Sequence, residues 1–549
     1  MIVDLDRDRF ALRPSYDVCV VGAGPVGMTV ATELLDRGAS VIVVESGDVV
    51  PRASRTRLAA GEVVGDERFG PLETKVHRAV GGTSWLWENA LPGGVQGVRH
   101  TVIEPAVLER HRDDGRNWPY DASELAALTT RALHCAGVVV GVDRLQPTPS
   151  EHVSGLDQGR YVFGPRRQFQ LDGLGAALVR GATVLVNATA VALATRYGGP
   201  RDALDQVTVR SAQGRQATIR ATTFVLAAGT VENTRFAWML GAALPGVRSN
   251  RAIGAGIMDR PRLTGRLVLA GDPPDWLAAF GLHLDGGVPA MARLLMPAGR
   301  VREGAPSCSL LPAPAPAPST ARQWLERWAK RSLIAAPTTF EQRIADHVGS
   351  RTARAMIGAN QRSYPARSWA YQRLADHSFD LEWSAWPARD TWRRVRSWSV
   401  TAIIEQFPHP ANRLELGGRR DVHGRPVPRL VWGRPIERVG AVDAALGVFA
   451  SAVTAAGLGR ITWPDQGFDS ISSCHLMGSL PMGDDPMRSA TEPSGRLRGT
   501  ANVFAAGSCL FPTGGHSNPT LTAMALAIAT VDHIVAAPTP LEVPVPAAG

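Results

Sequence analysis

Short, largely apolar runs rich in β-branched residues punctuate a chain that otherwise mixes apolar and polar positions, and these runs organise its reading. Tyr16–Val21 (YDVCVV) is the first. The turn Gly22-Ala23-Gly24-Pro25-Val26-Gly27 follows at once, then Val26–Arg37 with apolar residues at helical spacing, then the run Ser40–Val44 ending at Glu45. A strand covered on both faces needs such a continuous apolar run, whereas a surface helix shows the 3.6-residue period. The order strand, glycine turn, helix, strand predicts a nucleotide-binding unit. Thr183–Thr189 and Gln206–Arg210 predict further strands, and Thr222–Ala228 (TTFVLAA) predicts a buried strand running into Gly229. Asn502–Ala506 repeats that style before Gly507.

Nucleotide-domain signatures thus occur at the start, middle and end of 549 residues, a length that suits two domains. The expected division is a discontinuous nucleotide-binding domain of residues 14–100, 181–262 and 466–549, interleaved with a substrate-binding domain of residues 101–180 and 263–465. The second domain carries a proline-rich insertion near residues 312–331. Pro312–Pro318 reads as a stiff extended spacer, and seven of the fourteen tryptophans fall between Trp324 and Trp398. That aromatic insertion suits a lid over a pocket or ordinary packing of a large domain, and both readings stay open. The tail from Pro538 is proline-rich and reads as extended.

Composition then removes several classes. Five scattered cysteines with no CxxC pair argue against a disulfide scaffold and a structural zinc site. No HExxH motif or other ligand spacing supports a metal enzyme, and no GxSxG elbow supports a serine hydrolase. The net charge of +9 is carried almost wholly by arginines spread among acids, without a basic block or interleaved aromatics, so no nucleic-acid partner is expected. Lys75 and Lys330 are the two lysines, which leaves little room for Schiff-base chemistry. Met1–Phe10 lacks the apolar run of a secretory signal, and Pro519–Ala537 is interrupted by Asp532 and His533, so no transmembrane segment and a cytoplasmic location are expected.

The chemistry-bearing motifs start with the glycine turn. Gly22 permits the turn, Gly24 lets backbone approach a pyrophosphate, and Gly27 lets helix pack on sheet, with phosphate at the helix N-terminus. Glu45 is placed to bind a ribose diol. Gly81, Gly82, Thr83 and Ser84 form a second small-residue loop, suited to lie against a flat ring. Gly229 marks another close backbone pass. Near the C-terminus, Ser473-Cys474-His475 precedes Gly507-Ser508, and His516-Ser517-Asn518-Pro519-Thr520 opens a helix from about Leu521 to Ile534.

Together, residues 16–47, 78–89, 222–236, 403–416 (IIEQFPHPANRLEL) and 471–534 resemble the glucose–methanol–choline (GMC) family of flavoprotein alcohol oxidoreductases, most closely its sugar-oxidising branch. The resemblance implies a Rossmann-like α/β FAD-binding domain interleaved with an α+β substrate domain built on an antiparallel sheet. It implies FAD as cofactor, His475 as the base that takes the alcohol proton, and Asn518 as its partner, with hydride passing to flavin N5. A neutral imidazole near its ordinary pKa suits the first task and an amide donor the second. Pro519 and Thr520 are implied to lie near the flavin N1 and O2, at the positive helix end. His516 is the rival partner, because other branches use two histidines, and Asn518 is also placed to cap the helix. Relatives that attach FAD covalently do so through a histidine where Leu86 stands, so FAD is expected to bind non-covalently. Glu492 is a loose match to a family acid, and Met258-Asp259-Arg260-Pro261 stands where many relatives show Asp-His-Pro.

The expected substrate is a small polyhydroxylated molecule, a sugar, glycoside or aminoglycoside, oxidised to aldehyde or ketone. The electron acceptor, whether oxygen or a quinone, is not readable. The arginine- and alanine-rich composition hints at a GC-rich bacterium and at antibiotic biosynthesis. A non-sugar alcohol, an NADPH-dependent monooxygenase and a non-catalytic flavin-binding protein are the alternatives. Gly507-Ser508, in place of the Gly-Asp turn of the monooxygenases, counts against the second.

Overall fold

In the computed structural model of the chain, the runs Tyr16–Val21 and Gln216–Leu226 lie side by side in parallel, with Val18 opposite Thr223 and Val21 opposite Leu226. The structure describes residues 1–536 apart from 67–68, 87–88, 91–95, 113, 166, 172, 196–201, 315–392, 394, 396, 434–439 and 465–473. The parallel sheet runs in the order Ile2–Asp4, Thr183–Val186, Val41–Val44, Tyr16–Val21, Gln216–Leu226. Val503–Ala505 adds on the far side of Gln216–Leu226, beside its C-terminal half. Every residue of Val41–Val44 is buried, as a strand covered on both faces requires. The helix Pro25–Leu35 covers one face with Met28, Val30, Ala31 and Leu34 and packs on the C-terminal helix Pro519–Ala536. This is a Rossmann-like nucleotide domain.

The expected strand Thr183–Thr189 divides in two. Asn187 takes a left-handed φ of 54°, its N–H turns to the Gly47 carbonyl at 2.7 Å, and a new strand Thr189–Thr195 begins beyond it. That strand forms an antiparallel ladder with Leu204–Arg210 and then the first half of Gln216–Leu226. Polar alternation hid the N-terminal half of this long strand, because only its last turn of sequence is buried on both faces.

A second sheet is antiparallel throughout. Its path runs from Gly459–Thr462 through Arg262–Leu269, Ser397–Ile404, Cys308–Pro314, Val288–Leu295 and Asp157–Pro165 to Gln96–His100 and Asn89–Ala90. Its antiparallel order is that of the expected α+β part of the fold. A small third sheet pairs Asn412–Arg420 with Pro426–Trp432 and Glu62–Gly65. The lid expected beyond Pro314, with its tryptophans up to Trp392, lies outside the described residues. Pro519–Ala536 is long and apolar enough to cross a membrane by length and composition alone, but its residues Leu521–Val531 are buried within the fold.

Candidate active site

Backbone geometry divides the three fingerprint glycines by task. Gly22 has φ 111°, and a Cβ there would stand 2.5 Å from the Ala227 carbonyl oxygen, while one on Gly27 would stand 2.0 Å from the Gly22 carbonyl oxygen. Both positions are closed by the protein's own backbone. Gly24 differs: its nearest neighbour would be the Gly82 Cα at 3.9 Å, and Gly24 borders a cleft at the head of the helix Pro25–Leu35. Gly229, with φ 83°, and Gly507, with φ 121°, also border it, and a Cβ on either would meet no protein atom closer than 4.0 Å. The cleft encloses about 1540 Å³, its open mouth included. Bare backbone thus faces this space from three separate turns, at a helix end whose free N–H groups favour an anion. An elongated dinucleotide such as FAD fits this cradle.

Glu45 also lines the cleft. Its Oε2 accepts from the Ala23 N–H at 3.0 Å and its Oε1 from the Gly47 N–H at 2.7 Å. Burial raises its pKa, and those two bonds and Arg78 oppose the rise. Each oxygen keeps capacity for a further donor, so Glu45 pins the glycine turn and still presents an acceptor to the cleft. Gly82 and Thr83 border the cleft, and so do Ser508, Pro519 and Thr520. Gly81 and Ser84 stand behind: the Ser84 hydroxyl donates to the Gly81 carbonyl at 2.6 Å and shapes the turn. Leu86 ends the short helix Gly82–Leu86, and its side chain lies outside the described residues.

Charged residues at the cleft that the sequence did not single out are Lys75, Arg78, Glu232 and Arg425. Arg78 pairs with Glu232 at 2.8 Å, and Arg235 and Arg425 complete a buried network with Asp421. Burial alone would raise the Glu232 pKa, but Arg78, Arg235 and Arg425 hold it down to about 2. No spacing rule links these residues, which come from three segments far apart in the chain.

His475 and Asn518 meet near this cleft. The Asn518 amide nitrogen lies 3.5 Å from His475 Nε2, at the outer edge of hydrogen-bonding range, as catalytic contacts often stand before substrate binds. The His475 segment is fixed by its backbone. The Leu476 carbonyl accepts from Thr230 Oγ1 at 2.8 Å and from Ser508 Oγ at 2.9 Å. Met477 exchanges two backbone bonds of 2.9 Å with Met258, and the His475 N–H donates to Asp259 Oδ1 at 3.3 Å. The Asn518 segment is held from the other side. Glu405, in a bidentate pair with Arg110 at 2.9 and 2.6 Å, accepts from the Gly515 N–H, and Trp118 Nε1 donates to Thr513 Oγ1 at 2.9 Å. The bonds made by the Asn518 side chain run to His475 and to Arg260, 3.4 Å from its Oδ1.

His516 is fully buried. Its Nε2 lies 2.7 Å from Arg293 Nη1 and its Nδ1 2.5 Å from Ser307 Oγ, whose hydroxyl donates to Glu104 Oε2 at 2.8 Å. Burial, then Arg293 and Arg260, lowers the His516 pKa well below its ordinary value. Both ring nitrogens are engaged inside the protein. Glu492, the loose family acid, pairs with Arg496 at 2.8 Å.

Two stretches of the chain match known families. Residues 15–61 match the family described as FAD binding domain, and residues 408–527 match GMC oxidoreductase. A curated relative, paromamine 6'-oxidase of Streptomyces fradiae, is 29% identical over 129 residues, which span 24% of this chain and 24% of that enzyme. Among solved structures, pyridoxine 4-oxidase from Mesorbium loti is similar at a TM-score of 0.48 and 13% identity, over 94% of this chain and 99% of that one. A formate oxidase variant from Aspergillus oryzae RIB40 is similar at 0.43 and 13%, over 95% and 99%. The chain thus carries an FAD-binding segment toward one end and a GMC oxidoreductase domain toward the other.

Proposed function

We propose that the protein oxidises a hydroxyl group of a sugar-like molecule (a sugar, glycoside or aminoglycoside) to an aldehyde or ketone, with His475 as base. The observation that carries this reading is the His475–Asn518 pair, drawn from two segments to 3.5 Å, with His475 bordering the cleft. Gly24, Gly229 and Gly507 would hold FAD along bare backbone, with Glu45, Pro519 and Thr520 also lining the cleft. Bound FAD supplies the acceptor for the carbinol hydride.

The chain's own residues would do the rest. A substrate hydroxyl between the two side chains donates its proton to His475 Nε2 and accepts from the Asn518 amide. As the proton leaves, the oxygen gains negative charge, and a donor already aimed at it stabilises that charge without reorganising. Substrate class rests on the resemblance to sugar-oxidising relatives and on the aminoglycoside oxidase named above, which matches only a quarter of this chain. A guanidinium beside Asn518 favours a reacting end that is uncharged or anionic, so any ammonium group of the substrate would lie away from the pair.

The test is the visible spectrum under nitrogen, before and after adding sugars and aminoglycosides. Bleaching by a polyol supports the reading, and its absence with every alcohol offered defeats it. Readmitting air then separates an oxidase from a dehydrogenase. Acid precipitation tests non-covalent attachment, which Leu86 favours: the colour should stay in the supernatant, and a yellow pellet would contradict it.

A further inference from the structure

We infer that Arg260 is a positioning residue, acting through Asn518, for the reaction proposed above and resting on that reading. Arg260 is 1% exposed, in the segment that runs antiparallel to the one bearing His475. One carboxylate oxygen ties the two together: Asp259 Oδ1 accepts from the Arg260 N–H at 2.7 Å and from the His475 N–H at 3.3 Å. Arg260 Nη1 then donates to the His516 carbonyl and, at 3.4 Å, to Asn518 Oδ1.

The consequence is a fixed orientation. An amide side chain has an accepting end and a donating end of nearly the same shape, and only its neighbours decide which way it points. A guanidinium can only donate, so it holds the Asn518 oxygen toward itself and turns the NH₂ toward His475. An NH₂ can only donate in turn. Nε2 of His475 must therefore present its lone pair, with the proton of the neutral ring on Nδ1. That is the tautomer a base needs at Nε2, and the same NH₂ is the donor the developing alkoxide needs. Were the amide reversed, its oxygen would repel the alkoxide and select the wrong ring tautomer. Where many relatives show Asp-His-Pro, this chain has Asp259-Arg260-Pro261, and a histidine would not be an obligate donor.

The test is a double-mutant cycle on the flavin-loaded enzyme with whichever alcohol bleaches the parent. Arg260→Met should lower kcat by ~10- to 100-fold, the scale of a misoriented transition-state donor, with a smaller change in KM. Arg260→Lys, which keeps a donor-only cation, should recover much of the loss. In the Asn518→Ala background, Arg260→Met should cost little more, because the group it orients is gone. ¹⁵N spectra of histidine-labelled protein should show His475 as one Nδ1–H tautomer in the parent and as a mixture in Arg260→Met. Full additivity, an unchanged kcat in Arg260→Met, or an unchanged tautomer would overturn the inference. A parent that oxidises no alcohol fails the functional reading instead, and the tautomer measurement still decides the positioning role.

Discussion

The Arg293 guanidinium lies 2.7 Å from Nε2 of His516, and that contact decides which of two histidines is available as a base. Arginine has no lone pair to offer, so Nε2 must accept. The ring proton then sits on Nδ1 and is donated to Ser307, whose hydroxyl passes its own to Glu104. His516 is thereby a neutral link in a closed chain. His475 keeps its Nε2 toward Asn518.

Replacing His516 by alanine should act on stability more than on chemistry. It leaves Arg293 and Ser307 short of partners in a buried site, at a cost of about 1–3 kcal/mol. Thermal melting should drop, while flavin-loaded protein should keep kcat within about tenfold of the parent, against the ~100-fold or more that loss of a general base brings. A base-sized loss of kcat at unchanged melting temperature would return His516 to the mechanism.

Stability should fall as the solution is acidified below about pH 6.5, the ordinary histidine value. Burial holds His77 and His100 down to about 4, and burial with Arg293 and Arg260 lowers His516 well below its ordinary value. The unfolded chain therefore takes up protons there that the folded one refuses, which favours unfolding as pH drops through that window. Glu104 works the opposite way. Burial, opposed chiefly by Arg293, pushes it up to about 7, so its contribution is present at low pH and lost as pH rises through 7. Between about pH 5 and 6, His77 and His100 against Glu104 leave a net uptake of about one proton on unfolding, or roughly 1–2 kcal/mol per pH unit, with His516 adding in the same direction. Urea unfolding across that range measures the slope, and a flat or opposite slope would contradict these assignments.

Two neighbouring glycines should respond to alanine in opposite ways. In Gly27→Ala the new Cβ meets the Gly22 carbonyl oxygen at 2.0 Å, so the protein should fail to fold or lose several kcal/mol. In Gly24→Ala it meets nothing closer than 3.9 Å, so the apoprotein should melt within a few degrees of the parent. Flavin affinity should nevertheless fall at least tenfold, because the methyl group enters the space meant for the pyrophosphate. Flavin titration of the two apoproteins checks both, and parental affinity in Gly24→Ala would remove that turn from the binding site.

Much of this was legible because it is local. The runs at Tyr16–Val21 and Val41–Val44 announce strands covered on both faces, and Gly22, Gly24 and Gly27 announce the turn between strand and helix. What escaped has no local signature. Gln206–Arg210 and the end of Gln216–Leu226 were legible as strands, but Thr189–Thr195 and the exposed first half of Gln216–Leu226 were not. Thr230 serves His475 from 245 positions away, through the carbonyl of Leu476, and Arg260 reaches Asn518 across 258. The cap reading of Asn518 was open on sequence because an Asn before Pro suits a helix start as well as a substrate. Which partners its amide finds depends on where Arg260 stands, and only the fold supplies that.

The most direct measurement is the rate of anaerobic flavin bleaching by a reactive alcohol in His475→Ala, compared with the parent at equal flavin content. Loss of the base should slow bleaching by ~100- to 10,000-fold while the protein stays yellow and folded. A variant that bleaches at the parental rate would show that the imidazole beside Asn518 takes no proton, and the account of this site would fall with it.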